Sequence, residues 1–207
     1  MGKLILEAGK KYTFSDYFEF NNPTEEITTV FGYFFNTQIL DLPMGTDVAE
    51  EVILSMQNHF YDTLPKISLN SEMAKRDFMI APVLWGVIRY VNAKINVEYP
   101  VNIDDKLGGS LDYLVRSKQE IIVIEAKKGD LEKGFNQLAV ELIAMDKYED
   151  DQDKSDMIYG AISIGELWRF GILDRNTKYI YKDLHTYRVP EDFRMVFLII
   201  LGILQKL

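Results

Sequence analysis

Two acids and a lysine near the middle of the chain, Asp112, Glu125 and Lys127, are the residues whose types and spacing could do chemistry. They lie in two runs, Gly109-Ser110-Leu111-Asp112-Tyr113-Leu114-Val115-Arg116 and Ile121-Ile122-Val123-Ile124-Glu125-Ala126-Lys127, joined by a short polar turn. If Arg116 pairs with Ile121 across a four-residue loop, Leu114 falls opposite Val123 and Asp112 opposite Glu125. Directly opposed residues share a face of the sheet. Alternation then puts Lys127 on the Glu125 face and turns Ala126 to the other layer. Two carboxylates with Cβ atoms about 5 Å apart destabilise a sheet by themselves, so a compensating cation is expected. Mg²⁺ suits carboxylate oxygens and keeps water for a substrate phosphate. The Lys127 ammonium cannot ligate it, but can stabilise transition-state charge or orient a water. The chemistry that this set could do is metal-assisted hydrolysis of a phosphodiester. An acid two residues before a lysine at a strand end is also a common solvated sheet edge. The isoleucine-rich run leading into this one argues for the rim of a buried sheet, where ligand crevices form.

The order of these residues resembles the PD-(D/E)XK nuclease superfamily, the restriction-endonuclease-like fold. Asp112 matches its first acidic position and Glu125-Ala126-Lys127 its Glu-x-Lys half, while Leu111 stands at the loosely kept proline position. The resemblance implies an αβββαβ core over residues 71–183. It implies an endonuclease acting on DNA, with Asp112 and Glu125 as ligands of Mg²⁺, which Mn²⁺ can replace, and Lys127 as the catalytic lysine. It further implies a metal-site role for Glu72, although Glu72 and Arg76 also have the i, i+4 spacing of a helix-surface pair worth ~0.3 kcal/mol. Gln137 falls where similar nucleases carry a glutamine that orients the site, and Glu141 where they carry a tyrosine. Lys75, Arg76, Arg116, Lys118, Lys127, Lys128 and Lys133 are expected near the cleft, as a local basic patch for a phosphate backbone. A competing reading is a catalytically silent module of the same fold that binds nucleic acid or a protein partner. A small-molecule enzyme is disfavoured by the absence of a glycine-rich cofactor loop.

The elements that must position these residues follow from periodicity. Ser71 is a candidate N-cap for a long helix in which Phe78, Ala81, Trp85 and Ile88 recur at helical spacing. Strands are expected at 93–99, 109–116 and 120–127, the last buried on both faces. Asp130 then caps a helix with the stripe Leu131, Phe135, Leu138, Leu142 and Met145. Further strands follow near 157–164, 166–173 and 178–182, with Trp168 and Phe170 assigned to the core. This order predicts an α/β domain with a mixed central sheet flanked by helices. Residues 1–65 read as an N-terminal elaboration, with short helices near 14–20 and 23–30, a strand within 33–42 and a helix at 47–64. The acid-rich stretch 146–156 reads as a solvated loop, and Gly108-Gly109 as a turn or a close backbone approach.

The composition bounds the rest. A chain of 207 residues with 47% hydrophobic content suits one globular domain. Without cysteine and with two histidines, thiolate and three-histidine metal sites are excluded. The net charge of −9 denies a global basic footprint for nucleic acid and leaves the matter to local charge. The N-terminal apolar stretch is too short for a secretory signal, and the run 195–204 reaches half of the ~20 residues that a spanning helix needs. A cytoplasmic protein with no membrane span is the expectation. The final helix, 190–207, is apolar all round and must be covered, either internally or by a second copy in a homodimer.

Overall fold

The computed structural model describes residues 6–7, 9–117, 129–148 and 155–205, together with the backbone of 120–125. Two short helices, α1 (Phe14–Phe18) and α2 (Thr24–Val30), precede strand β1 (Phe34–Gln38) and helix α3 (Glu50–Thr63). Helix α4 (Glu72–Lys75) runs through a π-helical turn (Arg76–Ile80) into α5 (Ala81–Ile88). Strands β2 (Lys94–Asn102), β3 (Gly108–Arg116) and β4 (Glu120–Glu125) form a meander, and helix α6 (Leu131–Tyr148) crosses to β5 (Met157–Ser163). The chain ends with β6 (Leu167–Asp174), β7 (Tyr179–Asp183), the short β8 (Tyr187–Arg188) and α7 (Phe193–Gln205).

The strands make one mixed sheet in the order β1-β7-β6-β5-β4-β3-β2, with β8 added on β6. Pairing is parallel at β4/β5 and β1/β7 and antiparallel elsewhere. A parallel neighbour needs a crossover, and α6 supplies it between β4 and β5. Helices cover both faces. Ile53 and Phe60 of α3, Val83 and Val87 of α5, and the apolar side chains of α7 pack with Tyr113, Val115, Trp168 and Phe170. On the other face, Phe14, Ile27 and the apolar residues of α6 pack with Leu111, Leu114, Ile158 and Leu173. The N-terminal elaboration is thus part of this architecture, since β1 extends the sheet and α1 and α2 lie against α6. Among the described residues, no helix is long and apolar enough to cross a membrane.

Both expected caps form. Ser71 Oγ accepts from the Ala74 amide at 3.0 Å, and Asp130 Oδ1 accepts from the amides of Glu132 and Lys133, each at 3.0 Å. Two expectations change elsewhere, and a third that had two alternatives is decided. The first concerns the 72–88 helix, which buries Met79, Ile80, Val83, Leu84 and Val87 rather than the Phe78/Ala81/Trp85/Ile88 stripe. A π turn inserts an extra residue per turn and so rotates the helix phase, which leaves Phe78 and Trp85 exposed. The second concerns Asp146, which is a buried member of α6 and not part of a solvated loop. Its Oδ2 accepts from Tyr33 Oη at 2.5 Å and Lys178 Nζ at 2.6 Å, and its Oδ1 lies 3.5 Å from Arg175 Nη1.

The third concerns α7, which is covered from within. Phe197 and Ile200 are 0% exposed, and the 43–45 segment lies on the helix, with the Gly45 amide bonded to the Leu198 carbonyl at 2.7 Å. The homodimer expected through this helix therefore has no exposed Phe197/Ile200 patch to rest on. Phe197→Ala is expected to lower unfolding free energy by about 3–5 kcal/mol, as for an aromatic removed from a packed core. Urea denaturation reads this, and light scattering should show no accompanying change of oligomeric state.

Candidate functional site

A cleft of about 860 Å³ opens where α1, α4, the π turn, β2, β3 and α6 meet. Glu72, Arg76, Asp112 and Gln137 all line it, together with Asp77, Glu98, Ser110 and Tyr113. Three regions distant in sequence, the α4 helix with its π turn, β3 and α6, thus deliver the expected residues to one place. Gly109 makes this possible on the α1 side. Its φ is +147°, and a Cβ there would stand 2.9 Å from the Phe14 ring, so only glycine lets α1 close over the start of β3.

The β3/β4 register differs from the one expected. Arg116 pairs with Glu120, Val115 with Ile121, Leu114 with Ile122 and Tyr113 with Val123, one position from the expected alignment. The hairpin closes one residue earlier because Glu120 joins the ladder instead of the loop. Asp112 therefore has no Glu125 rung opposite it, and Glu125 pairs on its other side with Ser163 of β5. The side chain of Glu125, and Lys118, Lys127 and Lys128 altogether, lie outside the described residues.

Asp112 sits instead at an interruption in the β2/β3 ladder. Pairing runs from Lys94↔Arg116 to Val97↔Tyr113 and resumes at Tyr99↔Leu111, so the Glu98/Asp112 rung is missing. Glu98 has φ +52°, a left-handed backbone that is uncommon outside glycine. Across this kink the alternation of faces changes: Tyr113 packs with the α5/α7 side, while both Leu111 and Leu114 pack with the α6 side. Non-glycine residues in such conformations persist only when their surroundings hold them there, and they cluster at functional sites.

Arg76 supplies the positive charge. Its Nη1 lies 3.9 Å from Asp112 Oδ1 and 3.6 Å from Glu98 Oε1, and its guanidinium stands over the Tyr113 ring at 5.4 Å. Burial works against the Arg76 charge, but hydrogen bonding to Tyr113 and the carboxylates of Asp112 and Glu98 outweigh it and raise its pKa. Burial raises the Tyr113 hydroxyl, and Arg76 only partly offsets this. Gln137 is 4% exposed. Its Nε2 donates to Glu141 Oε1 at 2.9 Å, whereas its Oε1 has no hydrogen-bond partner among the described residues. A buried amide oxygen left unsatisfied costs about 1–3 kcal/mol, so this atom favours a ligand that can donate to it. Glu141 occupies the expected tyrosine position and serves as the amide's acceptor.

The remaining basic candidates among the described residues do not converge. Lys75 turns to a separate cavity of about 390 Å³ beside Gly165, Glu166 and Arg188. Lys133 lines a surface cleft with Glu25, Asp130 and Lys182. Arg116 is not among the residues that line the cleft and stacks its guanidinium over Tyr99 at 5.4 Å. Helical and strand phase could not separate these from Arg76, because the faces depend on the π turn and on where the hairpin closes. Glu98 and Tyr113 were missed: neither belongs to a motif, and the strained φ of Glu98 has no sequence signal.

Carboxylates stand in the lining of the cleft, and carboxylate oxygens suit a hard cation such as Mg²⁺. Among the described residues no group of three His, Cys, Asp or Glu side chains is placed to hold a metal ion, although Glu72, Asp77, Glu98 and Asp112 all line the cleft. Arg76 provides the compensating charge that the carboxylates require. No protein-family model, curated protein or solved structure matches the chain.

Asp112→Asn is expected to lower the melting temperature of the metal-free protein slightly, by the equivalent of no more than about 1 kcal/mol, because it removes a partner of Arg76. The deficit should shrink with added salt. Melts in EDTA at low and high salt test this, and a rise at low salt would instead mean that Asp112 faces another carboxylate.

Proposed function

We propose that the protein is a metal-dependent endonuclease of the restriction-endonuclease-like class, hydrolysing phosphodiester bonds in DNA. The observation that carries this reading is the convergence of Glu72, Asp112 and Gln137 on one cleft from three separate elements. The element order supports it: a helix, three antiparallel strands, then a crossover helix to a strand parallel with the third. On this reading Asp112 and Glu125 hold Mg²⁺ or Mn²⁺ with support from Glu72, and the bound cation supplies Lewis-acid polarisation of the phosphodiester.

The chain's own groups do the rest. Arg76, released in part from Asp112 once the acid is otherwise neutralised, is placed to bind and orient a nonbridging phosphate oxygen by charge-assisted hydrogen bonds. Tyr113, with its hydroxyl kept protonated, remains a donor in the same wall. The free Gln137 oxygen accepts from a water or a substrate hydroxyl, which fixes that group against the carboxylates. Lys127, which follows the end of β4, stabilises charge that develops on the phosphate.

One observation favours the catalytically silent reading, the ion pair between Arg76 and Asp112, since a permanent guanidinium there would fill the place of the metal.

With Mn²⁺ or Mg²⁺, purified protein is expected to nick or cleave DNA and to hydrolyse a small chromogenic phosphodiester. Asp112→Ala, Glu125→Ala and Lys127→Ala should each lose more than about 100-fold in rate, as expected when transition-state stabilisation is removed, while keeping the wild-type circular dichroism spectrum. Wild type inert toward duplex, single-stranded and chromogenic substrates in both metals would establish the silent reading.

A further inference from the structure

The helix that carries Glu72 and Arg76 into the cleft continues beyond it with an outward face that is apolar and uncovered. Trp85 is 56% exposed and Phe78 46% exposed, although the same helix buries Met79, Ile80, Val83, Leu84 and Val87 completely. Ala81 lines the cleft. Trp85 follows it by four residues and the exposed Arg89 by four more, so each stands about 6 Å further along the helix on neighbouring faces. Met73 and Val97, themselves 72% and 56% exposed, line the cleft at the near end of this row. A surface that runs apolar side chain, aromatic ring and cation outward from a candidate reaction centre is continuous with that centre and unlike a randomly exposed tryptophan.

The charge around it decides what such a surface can take. Among the described residues the cleft is lined by four carboxylates, Glu72, Asp77, Glu98 and Asp112, against one guanidinium, Arg76, and the chain carries a net −9. Duplex DNA brings one phosphate charge per about 1.7 Å of its axis, and an unpaired strand brings half that density. The duplex is therefore repelled more strongly. Its bases are also stacked upon each other, so it presents no aromatic face to Trp85 except at an end. An unpaired strand presents every base, and stacking on tryptophan contributes attraction that depends little on charge.

We propose that the outward face of α5, centred on Trp85 and flanked by Phe78 and Arg89, is a stacking platform for unpaired bases. It feeds a single strand or a frayed end into the cleft, so that the site acts on unpaired DNA in preference to intact duplex. This rests on the reading of the cleft as a phosphodiester-hydrolysing site and names its substrate class.

The protein carries its own probe. It has two tryptophans, and the other, Trp168, is 0% exposed with its Nε1 bonded to the Gly165 carbonyl at 3.1 Å, so a ligand that stacks on the surface reports through Trp85 alone. The experiment titrates the full chain in EDTA, without turnover, with a short mixed-sequence single strand and with the same sequence as a blunt duplex. The single strand is expected to quench tryptophan fluorescence and to bind at least about tenfold more tightly than the duplex. Trp85→Ala should abolish the quench and weaken binding about tenfold or more, the range for losing one stacked base, whereas Trp85→Tyr should restore most of the affinity. Phe78→Ser gives an independent reading at a second exposed position, with a smaller loss in the same direction.

Duplex binding equal to or tighter than single-strand binding, or affinity unchanged in Trp85→Ala, would overturn the proposal. So would absence of binding by either oligonucleotide. Hydrolysis of the small chromogenic phosphodiester, which offers no base to stack, should be unchanged in Trp85→Ala. That measurement separates a failed platform from a failed reaction centre.

Discussion

Carboxylates gathered at the mouth of a sheet need a positive charge beside them, and much of this site's construction follows from that need. Asp112 sits where the β2/β3 ladder loses a rung, opposite Glu98 with its left-handed backbone. A kink of this kind frees the Asp112 side chain from strict alternation, and brings Glu98 close enough to share the guanidinium of Arg76. Arg76 reaches both because it opens the π turn, which offsets α4 from α5. The same turn sends Met79 and Ile80 into the core and Phe78 and Trp85 outward. One local irregularity in a helix therefore sets both the electrostatics of the cleft and the character of the surface beside it.

Helix α6 is the second constraint. It is buried on nearly all sides from Gly134 to Asp146, as a crossover helix covered by α1 and α2 must be. Its ends are pinned by charge. In the first turn Glu132 accepts from Arg169 of β6 and Lys182 of β7, both at 2.5 Å. Burial would raise the Glu132 carboxyl, but the two hydrogen-bonded cations outweigh it and hold it below the usual range. At the far end Asp146 gathers Tyr33, Arg175 and Lys178. A helix held at both ends and packed between them has little freedom to slide, which is what a side chain like Gln137 requires if its free oxygen is to meet a ligand at hydrogen-bond distance.

The two walls of the cleft thus differ in kind. The α6 side is a packed interior in which the Gln137 amide oxygen is left open. The α4–α5 side is half solvent, carrying Arg76 within the cleft and aromatic surface beyond it. The first favours precise positioning of a small group, and the second favours a long and flexible ligand that contributes area. That division is what a site cutting one bond in a polymer would use, since much of its binding is gained away from the reacting atoms.

Periodicity and capping by themselves determined the elements. Ser71 and Asp130 start helices because their side chains satisfy free amides, the Trp168/Phe170 alternation lies in the core, and an αβββαβ order could be read from residues 71–183. Glu72, Asp112 and Gln137, expected together from the sequence, line one cleft. Tertiary structure alone decided the rest. Register depends on where a hairpin closes, and a difference of one residue took Asp112 out of the rung opposite Glu125. Helix phase depends on an inserted residue, which moved the buried stripe from Trp85 to Val83 and Leu84. Whether an all-apolar helix meets its own chain or a second copy depends on segments far away in sequence, here the 43–45 loop packed on α7. In each case the deciding interaction joins residues separated along the chain or a backbone state open to many sequences, and a local pattern carries no record of either.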